Sequence, residues 1–354
     1  MSDRVWVLGV DSGGSGLRVA LGAIAGDTGR DTGRVRAVDV AVVDSVAFAE
    51  PVRTGERGID AGHLLERLVP AAEGLLARAG VAVRPAAVTA VAVGAAGMAT
   101  LGDDLRAKLP AALRGSLGVD RLALAADAVT AYAGALGQRA GAVVAAGTGM
   151  IALGTDLSVW RRADGWGHLL GDCGSGAWIG RAGLEAALRA YDGRRGGSAA
   201  LLARVEAVFG DPKGLPGRLY PRGDRPAVLA SFAPEVARCG AEGDPVASGI
   251  LAGAARHIAE AAAAVCPPGA DRADAADAAD PVGPVEVALT GGLFAMGDAL
   301  LVPLRAELAE QLPYARTVSA GGDPLVGALS VAAALATDTL RLPREPGMLE
   351  TTGW

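Results

Sequence analysis

Asp11, Asp127 and Asp172 each follow an apolar run, where a carboxylate can hold a cation or take a proton. Asp11 opens the segment DSGGSGLR (Asp11–Arg18). Ser12, Gly13, Gly14, Ser15 and Gly16 form a turn in which backbone N–H groups can approach an anion, because few Cβ atoms intervene. An acidic residue before such a turn can hold Mg²⁺, directly or through its waters. A plain glycine-rich hairpin reads the same way. A dinucleotide-binding turn would need GxGxxG opening a helix, and here a strand follows. AAGTGM (Ala145–Met150) repeats the theme with Gly147, Thr148 and Gly149. Either turn alone is a weak signal. Two at equivalent places in a duplicated fold are specific, since together they would grip phosphates from both sides.

Three further segments carry polar chemistry. TGGLF (Thr290–Phe294) ends a strand-like run, and Gly291 and Gly292 would let a base or ribose lie against bare backbone. A helix-entry turn is an equal alternative. GWGHLLGDCGSGAWIG (Gly165–Gly180) is dense in glycine and carries Trp166, His168, Asp172 and Trp178. That density costs chain entropy and is unusual in mere connection, so it reads as a substrate loop with Asp172 accepting hydroxyl hydrogens. His168 is counted among the loop's substrate contacts and given no catalytic role. Asp127, in LALAADAVTAY, is either a helix N-cap or the carboxylate that takes a proton from an acceptor hydroxyl.

The whole chain bounds these readings. Its 354 residues are 51% hydrophobic and 20% charged with net charge −6, as for a globular protein of about two domains. The acidic balance argues against a nucleic-acid partner. No apolar run is long enough to span a membrane, and the N-terminus shows no signal peptide, so a cytoplasmic location is expected. Cys173, Cys239 and Cys266 are unpatterned and suggest neither disulfides nor a metal cluster. Cys173 reads as an inert small residue. The only lysines are Lys108 and Lys213, and GxxxxGK[ST] is absent, so any ATP is held without a Walker lysine.

Strand-like runs at 5–11, 17–24 and 35–43 form a meander, followed by a helix at 63–79 and strands at 88–93 and 122–125. A second meander (142–146, 151–153, 159–161) follows, then a helix from about 174 to 191. Strands return at 285–290 and 317–319, with helices at 297–311 and 324–336. The class expected is α/β, with two related domains, each a mixed sheet flanked by helices, and a cleft between them. Residues 1–137 with 323–340 would form one domain and 138–322 the other. The low-complexity stretch Pro267–Pro284 reads as a surface loop.

With these elements in order, the chain resembles the N-acetylglucosamine kinase and BadF-type ATPase family. That family lies within the actin, hexokinase and heat-shock ATPase superfamily of ribonuclease H-like folds. The resemblance covers roughly Val5–Ala336, and Gly165–Gly180 is its most specific piece. It implies an ATP- and Mg²⁺-dependent sugar kinase, with Asp11–Ser15 as first phosphate loop, Asp11 toward the metal, and Gly147–Gly149 as second loop. Gly291 and Gly292 match the adenosine motif and Asp127 the base; Gly165, Trp166, Asp172 and Gly176 would line the sugar pocket. Three departures stand out. Cys173 replaces an acidic residue, and Ser15-Gly16 stands where a Thr–Lys or Thr–Arg pair is usual, Arg18 compensating. Arg53–Asp60 (RTGERGID) lacks an asparagine near the sugar. The last and first of these turn the expectation from N-acetylglucosamine or a broader hexose range toward glucosamine. A dehydratase-activating ATPase would need clustered cysteines, and a repressor-type glucokinase a zinc motif; a silent ATP or sugar sensor remains the alternative from another class. A small-molecule sugar is the expected partner, and a homodimer is left open.

Overall fold

The computed structural model describes residues 4–14, 16–24, 40–55, 58–82, 87–268 and 284–353. Ser15, the beginning of the run expected at 35–43 and most of Pro267–Pro284 lie outside them.

In chain order the first elements are β1 (Val5–Gly13), β2 (Gly16–Ile24), β3 (Val40–Phe48), β4 (Thr54–Gly55), β5 (Gly58–Ile59), α1 (Ala61–Arg78), β6 (Ala90–Ala95), α2 (Met98–Leu101), α3 (Asp103–Leu117), β7 (Arg121–Ala126) and α4 (Asp127–Leu136). Then come β8 (Gly141–Ala146), β9 (Met150–Thr155), β10 (Trp160–Asp164), α5 (Gly176–Tyr191), α6 (Ala199–Phe209), α7 (Leu215–Leu219), α8 (Arg225–Ala230), α9 (Ala233–Ala241) and α10 (Pro245–Val265). The chain closes with β11 (Val285–Thr290), α11 (Asp298–Gln311), β12 (Ala315–Ser319), α12 (Pro324–Ala336) and β13 (Leu349–Gly353). No helix among the described residues is long and apolar enough to cross a membrane.

The chain divides into two compact units. One comprises Met1–Ala140, Thr155–Trp160 and Ala320–Trp354; the other comprises Gly141–Gly154 and Arg161–Ser319. The sheet of the first unit runs β13-β7-β6-β1-β2-β3, and that of the second runs β10-β9-β8-β11-β12. Leaving out β13 and the separate β4–β5 pair, the two orders are the same when each sheet's strands are counted from its own first. In both, the first strand lies parallel to the fourth and the fourth parallel to the fifth. The duplication expected from the sequence is therefore present in the strand order itself.

Local sequence explains the layers. β6 (AVAVGA) and β7 (RLALAA) are almost wholly buried, as parallel strands covered on both faces must be. β3 is one edge of its sheet, where Val42 and Val43 are exposed beside Asp44 and Ser45. The sequence reading ended the first unit at residue 340, yet β13 adds an antiparallel strand to β7. Trp160 is fixed in the same unit by an indole N–H donated to the Pro343 carbonyl (2.8 Å) and by the edge of Tyr132 (centroids 5.2 Å).

α12 begins with Asp323 as N-cap, its carboxylate accepting from Val326 N–H (3.0 Å), and with proline at the first helical position. Gly327 through Leu335 are buried apart from Ser330, packed on α4 and on β1. The helices approach so closely that a Cβ on Gly327 would overlap the Thr130 carbonyl oxygen. Gly327→Ala is expected to cost roughly 1–3 kcal/mol by overpacking, read as a lower urea midpoint with the slope unchanged. The second unit's core gathers α5, α6, α9, α10 and α11 around the fully buried Phe232.

Candidate functional site

In the first unit, Asp11 and Arg18 are direct partners across the β1–β2 ladder, so the hairpin register itself brings them together. Arg18 Nε and Nη2 both donate to Asp11 Oδ2, at 3.0 and 2.6 Å. Arg18 Nη1 donates to Asp323 Oδ2 at 2.5 Å, so one guanidinium joins a β-hairpin to the cap of α12. Burial raises the Asp323 carboxyl, but Val326 N–H and Arg18 outweigh it and hold the group below its ordinary range. The pairing of residues 18 and 323 was invisible in the sequence, although Asp-Pro was legible as a helix start.

Between these groups the hairpin turns through Gly13 and Gly14. A Cβ on either would meet nothing within 4 Å. Ser12 is buried. Bare backbone facing open space is what close approach of an anion requires.

Asp127 is the first residue of α4 rather than its cap, since the N-cap position is Ala126, which has no side-chain oxygen. Its Oδ1 accepts from Ala128 N–H at 2.9 Å. Burial pushes the Asp127 carboxyl above its ordinary range, the Ala128 N–H opposes this, and the negative charge of Asp11 adds to the rise. The charge of Asp11 thus reaches Asp127. Arg53–Gly55 and Gly58–Asp60 line, with Asp104 and Lys108, a cavity of about 500 Å³.

In the second unit the turn Gly147–Gly149 stands at the end of β8, beside the end of β11, whose Thr290 pairs with Ala145. Gly291 (φ 103°) has no room for a Cβ against the Ala146 carbonyl, whereas Gly292 meets nothing within 4 Å. Gly292 thus faces open space, while Gly291 must be glycine for packing. Gly147 is likewise open.

The loop after β10 is built onto that turn. Gly176 N–H donates to the Gly147 carbonyl (2.8 Å) and Ala177 N–H to the Thr148 carbonyl (3.0 Å). Ser175 caps α5 through Trp178 N–H (3.2 Å). A Cβ on Gly149 would lie 2.6 Å from Asp172 Oδ2, and one on Gly176 would lie 2.8 Å from the Gly147 oxygen. Asp172 is buried and has φ 53°, its Oδ1 accepting from Gly167 N–H at 3.0 Å. Burial raises its pKa, Gly167 N–H opposes, Asp164 raises it further and His168 lowers it. Trp166 is 66% exposed with the Arg162 guanidinium 4.2 Å from its ring centre. His168 is half-buried, and Gly165 packs on Ile151. Burial foremost pushes the Cys173 thiol up, which disfavours the nucleophilic thiolate. All three cysteines are free.

Asp164 is the residue the sequence reading missed, although Asp-Gly is a turn signal. Its Oδ1 accepts from Asp172 N–H (2.6 Å) and its Oδ2 from Cys173 N–H (2.9 Å).

Among the described residues no group of three or more His, Cys, Asp or Glu is placed to hold a metal ion. Both Arg18 bonds fall on Oδ2 of Asp11, which leaves Oδ1. A single carboxylate oxygen fits Mg²⁺ that keeps most of its shell as water and phosphate oxygen, and does not fit a protein-caged ion.

Residues 8–332 match the BadF/BadG/BcrA/BcrD ATPase family. The N-acetylmuramic acid/N-acetylglucosamine kinase of Clostridium acetobutylicum is 35% identical over 136 residues, which is 37% of this chain and 44% of that protein. The chain thus spans less than half the length of this curated relative. The crystal structure of a candidate N-acetylglucosamine kinase from Chromobacterium violaceum aligns with TM-score 0.58 and 27% identity, covering 92% of this chain and 98% of that one. The glucokinase of the ROK family from Streptomyces griseus, solved with glucose and AMPPNP, aligns with TM-score 0.52 and 20% identity over 92% and 99%. The likenesses show an actin-like α/β fold of two sheet-bearing units.

Proposed function

We propose that this chain, which belongs to the BadF/BadG/BcrA/BcrD ATPase family, is an ATP-dependent amino-sugar kinase acting on the 6-hydroxyl of glucosamine. The observation that carries the reading is the repeated strand order, each copy presenting a glycine turn after its first strand with open backbone at Gly13, Gly14 and Gly147. The names of the relatives favour a sugar as acceptor.

Each residue then has a task. Backbone N–H groups at Ser12–Ser15 and at Gly147–Gly149 bind phosphate oxygens, with Thr148 and Arg18 beside them. Gly291 and Gly292 border the adenosine. Gly165, Trp166, His168, Asp172 and Gly176 belong to the sugar loop, in which Asp172 accepts hydroxyl hydrogens. Asp127 takes the proton of the 6-hydroxyl as that oxygen bonds to the γ-phosphorus and the bond to the β,γ-bridging oxygen breaks, releasing ADP. Mg²⁺, held on the protein side by Asp11, would neutralise charge on the phosphates when bound. Positioning and charge stabilisation supply most of the rate. A cytoplasmic location belongs to the same proposal.

A second reading, N-acetylglucosamine as acceptor, is favoured by the names of the Clostridium and Chromobacterium relatives. Coupled ADP release with glucosamine, N-acetylglucosamine, glucose and mannosamine tests both. No sugar-dependent release with any of them would reduce the chain to a sensor.

Gly149→Ala supplies a further check. The added methyl falls on Asp172, so KM is expected to rise about tenfold or more for sugar and for ATP together. A rise for ATP alone, measured in the same assay, would separate the turn from the sugar loop.

A further inference from the structure

We infer that Asp164 is a positioning residue for sugar binding: its carboxylate clamps the backbone of Asp172 and Cys173 and thereby sets the Asp172 side chain against the Gly147–Gly149 turn. The inference rests on the kinase reading and extends it to a residue outside the glycine-rich segment.

The geometry is unusually complete for one side chain. Asp164 closes β10 in the left-handed region (φ 59°), at the last position before the loop. Each oxygen accepts one of two consecutive amides, Asp172 N–H at 2.6 Å and Cys173 N–H at 2.9 Å. The first of those amides belongs to Asp172, which itself holds φ 53°. Left-handed backbone costs a non-glycine residue of order 1–3 kcal/mol and persists only where the surroundings over-determine it. The Asp164 clamp is one such determinant; Ser175 N–H, donating to the Asp172 carbonyl at 3.0 Å, is the next. The clamp also needs glycine at Gly171, because a Cβ there would overlap Asp164 Oδ1.

The clamp fixes a side chain as well as a backbone. With its main chain held, Asp172 turns its carboxylate so that Oδ1 accepts from Gly167 N–H and Oδ2 lies over Gly149. The remaining lone pairs of Asp172 are what a sugar hydroxyl would reach. An error of about 1 Å in such a group is enough to lose affinity. Asp164 itself spends both oxygens on backbone, so it acts through Asp172.

Asp164→Asn tests this. The amide has nearly the same shape, but its NH₂ end must face one of the two N–H donors, and the negative charge is gone. The sugar KM is expected to rise about tenfold or more, while the ATP KM stays within about twofold and kcat falls less than KM rises. A second readout is electrostatic. The charged groups facing the Asp172 carboxyl are Asp164, which raises its pKa, and His168, which lowers it; the Gly167 and Met150 N–H groups also lower it, and Cys173 is adjacent. Ionised Asp172 accepts hydroxyl hydrogens more strongly than the protonated acid does. Removing the Asp164 charge therefore moves the acid limb of sugar kcat/KM to lower pH, with His168 unchanged in both proteins. A purely architectural residue would lower the melting temperature without moving that limb. Should Asp164→Asn fail to fold, Asp164→Glu keeps the charge on a longer arm and is expected to raise the sugar KM with the limb in place.

A sugar KM within about twofold of the parent and an unmoved limb would overturn the inference. If Asp172→Asn raises the sugar KM and Asp164→Asn does not, only this inference falls. If the parent protein turns over no sugar, the kinase reading falls and takes this one with it.

Discussion

Asp127→Asn is expected to lower kcat for sugar phosphorylation by about two orders of magnitude or more, the range of a general-base contribution. Asparagine keeps the shape and still accepts from the Ala128 N–H, so α4 should fold as before. Nucleotide affinity, measured with a fluorescent ATP analogue, should stay near that of the parent, because Gly13, Gly14 and Gly147 are untouched. The pH profile carries a second signature. Burial, and then the charge of Asp11, raise the Asp127 pKa, and a base works only when ionised. Activity should therefore fall on acidification before an ordinary aspartate would protonate. A mutant that keeps most of its turnover would leave Asp127 as a first-turn carboxylate favouring the helix dipole.

The second large effect concerns the acceptor. Glucosamine is expected to exceed N-acetylglucosamine by more than about a hundredfold in kcat/KM, the scale on which a clash with unpaired amide groups discriminates. The physical basis is a loop that keeps two carboxylates, Asp164 and Asp172, within one segment, although Cys173 stands where the resembling family carries an acid. An ammonium suits that charge; an acetamide asks for a pocket of its own. Glucose keeps the shape and loses the charge, so it should be poorer without being excluded. Equal or better kcat/KM with N-acetylglucosamine would place this chain with its named relatives in substrate and leave phosphoryl transfer intact.

Much of the frame was legible because its signals are local. Pro324–Ala336 carries its own cap and proline and is a helix at those bounds. β11 stands at Val285–Thr290 as expected. The edge strand β3 runs on to Phe48, past the expected end at 43, because Asp44 and Ser45 interrupt its apolar pattern at positions where an edge tolerates them. β13 was missed since LETTG has little apolar content, and its place is set by antiparallel pairing with β7. In the site, glycine turns announce themselves, but the partners of Arg18 and Asp164 do not. The bond from Arg18 to Asp323 spans 305 residues. Likewise the support of Gly147 and Thr148 by the N-terminus of α5 depends on packing that no spacing rule encodes. Gly291 carries a demand that the sequence did not announce: the close passage of the Ala146 carbonyl requires glycine there.

The interleaving of the two units sets an order of events during synthesis. A domain usually folds once its last residue has left the ribosome. Here the first unit's sheet has β1, β2, β6 and β7 available early, yet α12 covers β1 and β6, and β13 pairs with β7. Both covering elements are made only after all of Gly141–Gly154 and Arg161–Ser319. The second unit has its full set of strands and helices while the first still exposes an apolar sheet face and an open edge. The N-terminal half is thus the last to mature, and chaperone demand during translation should fall on it.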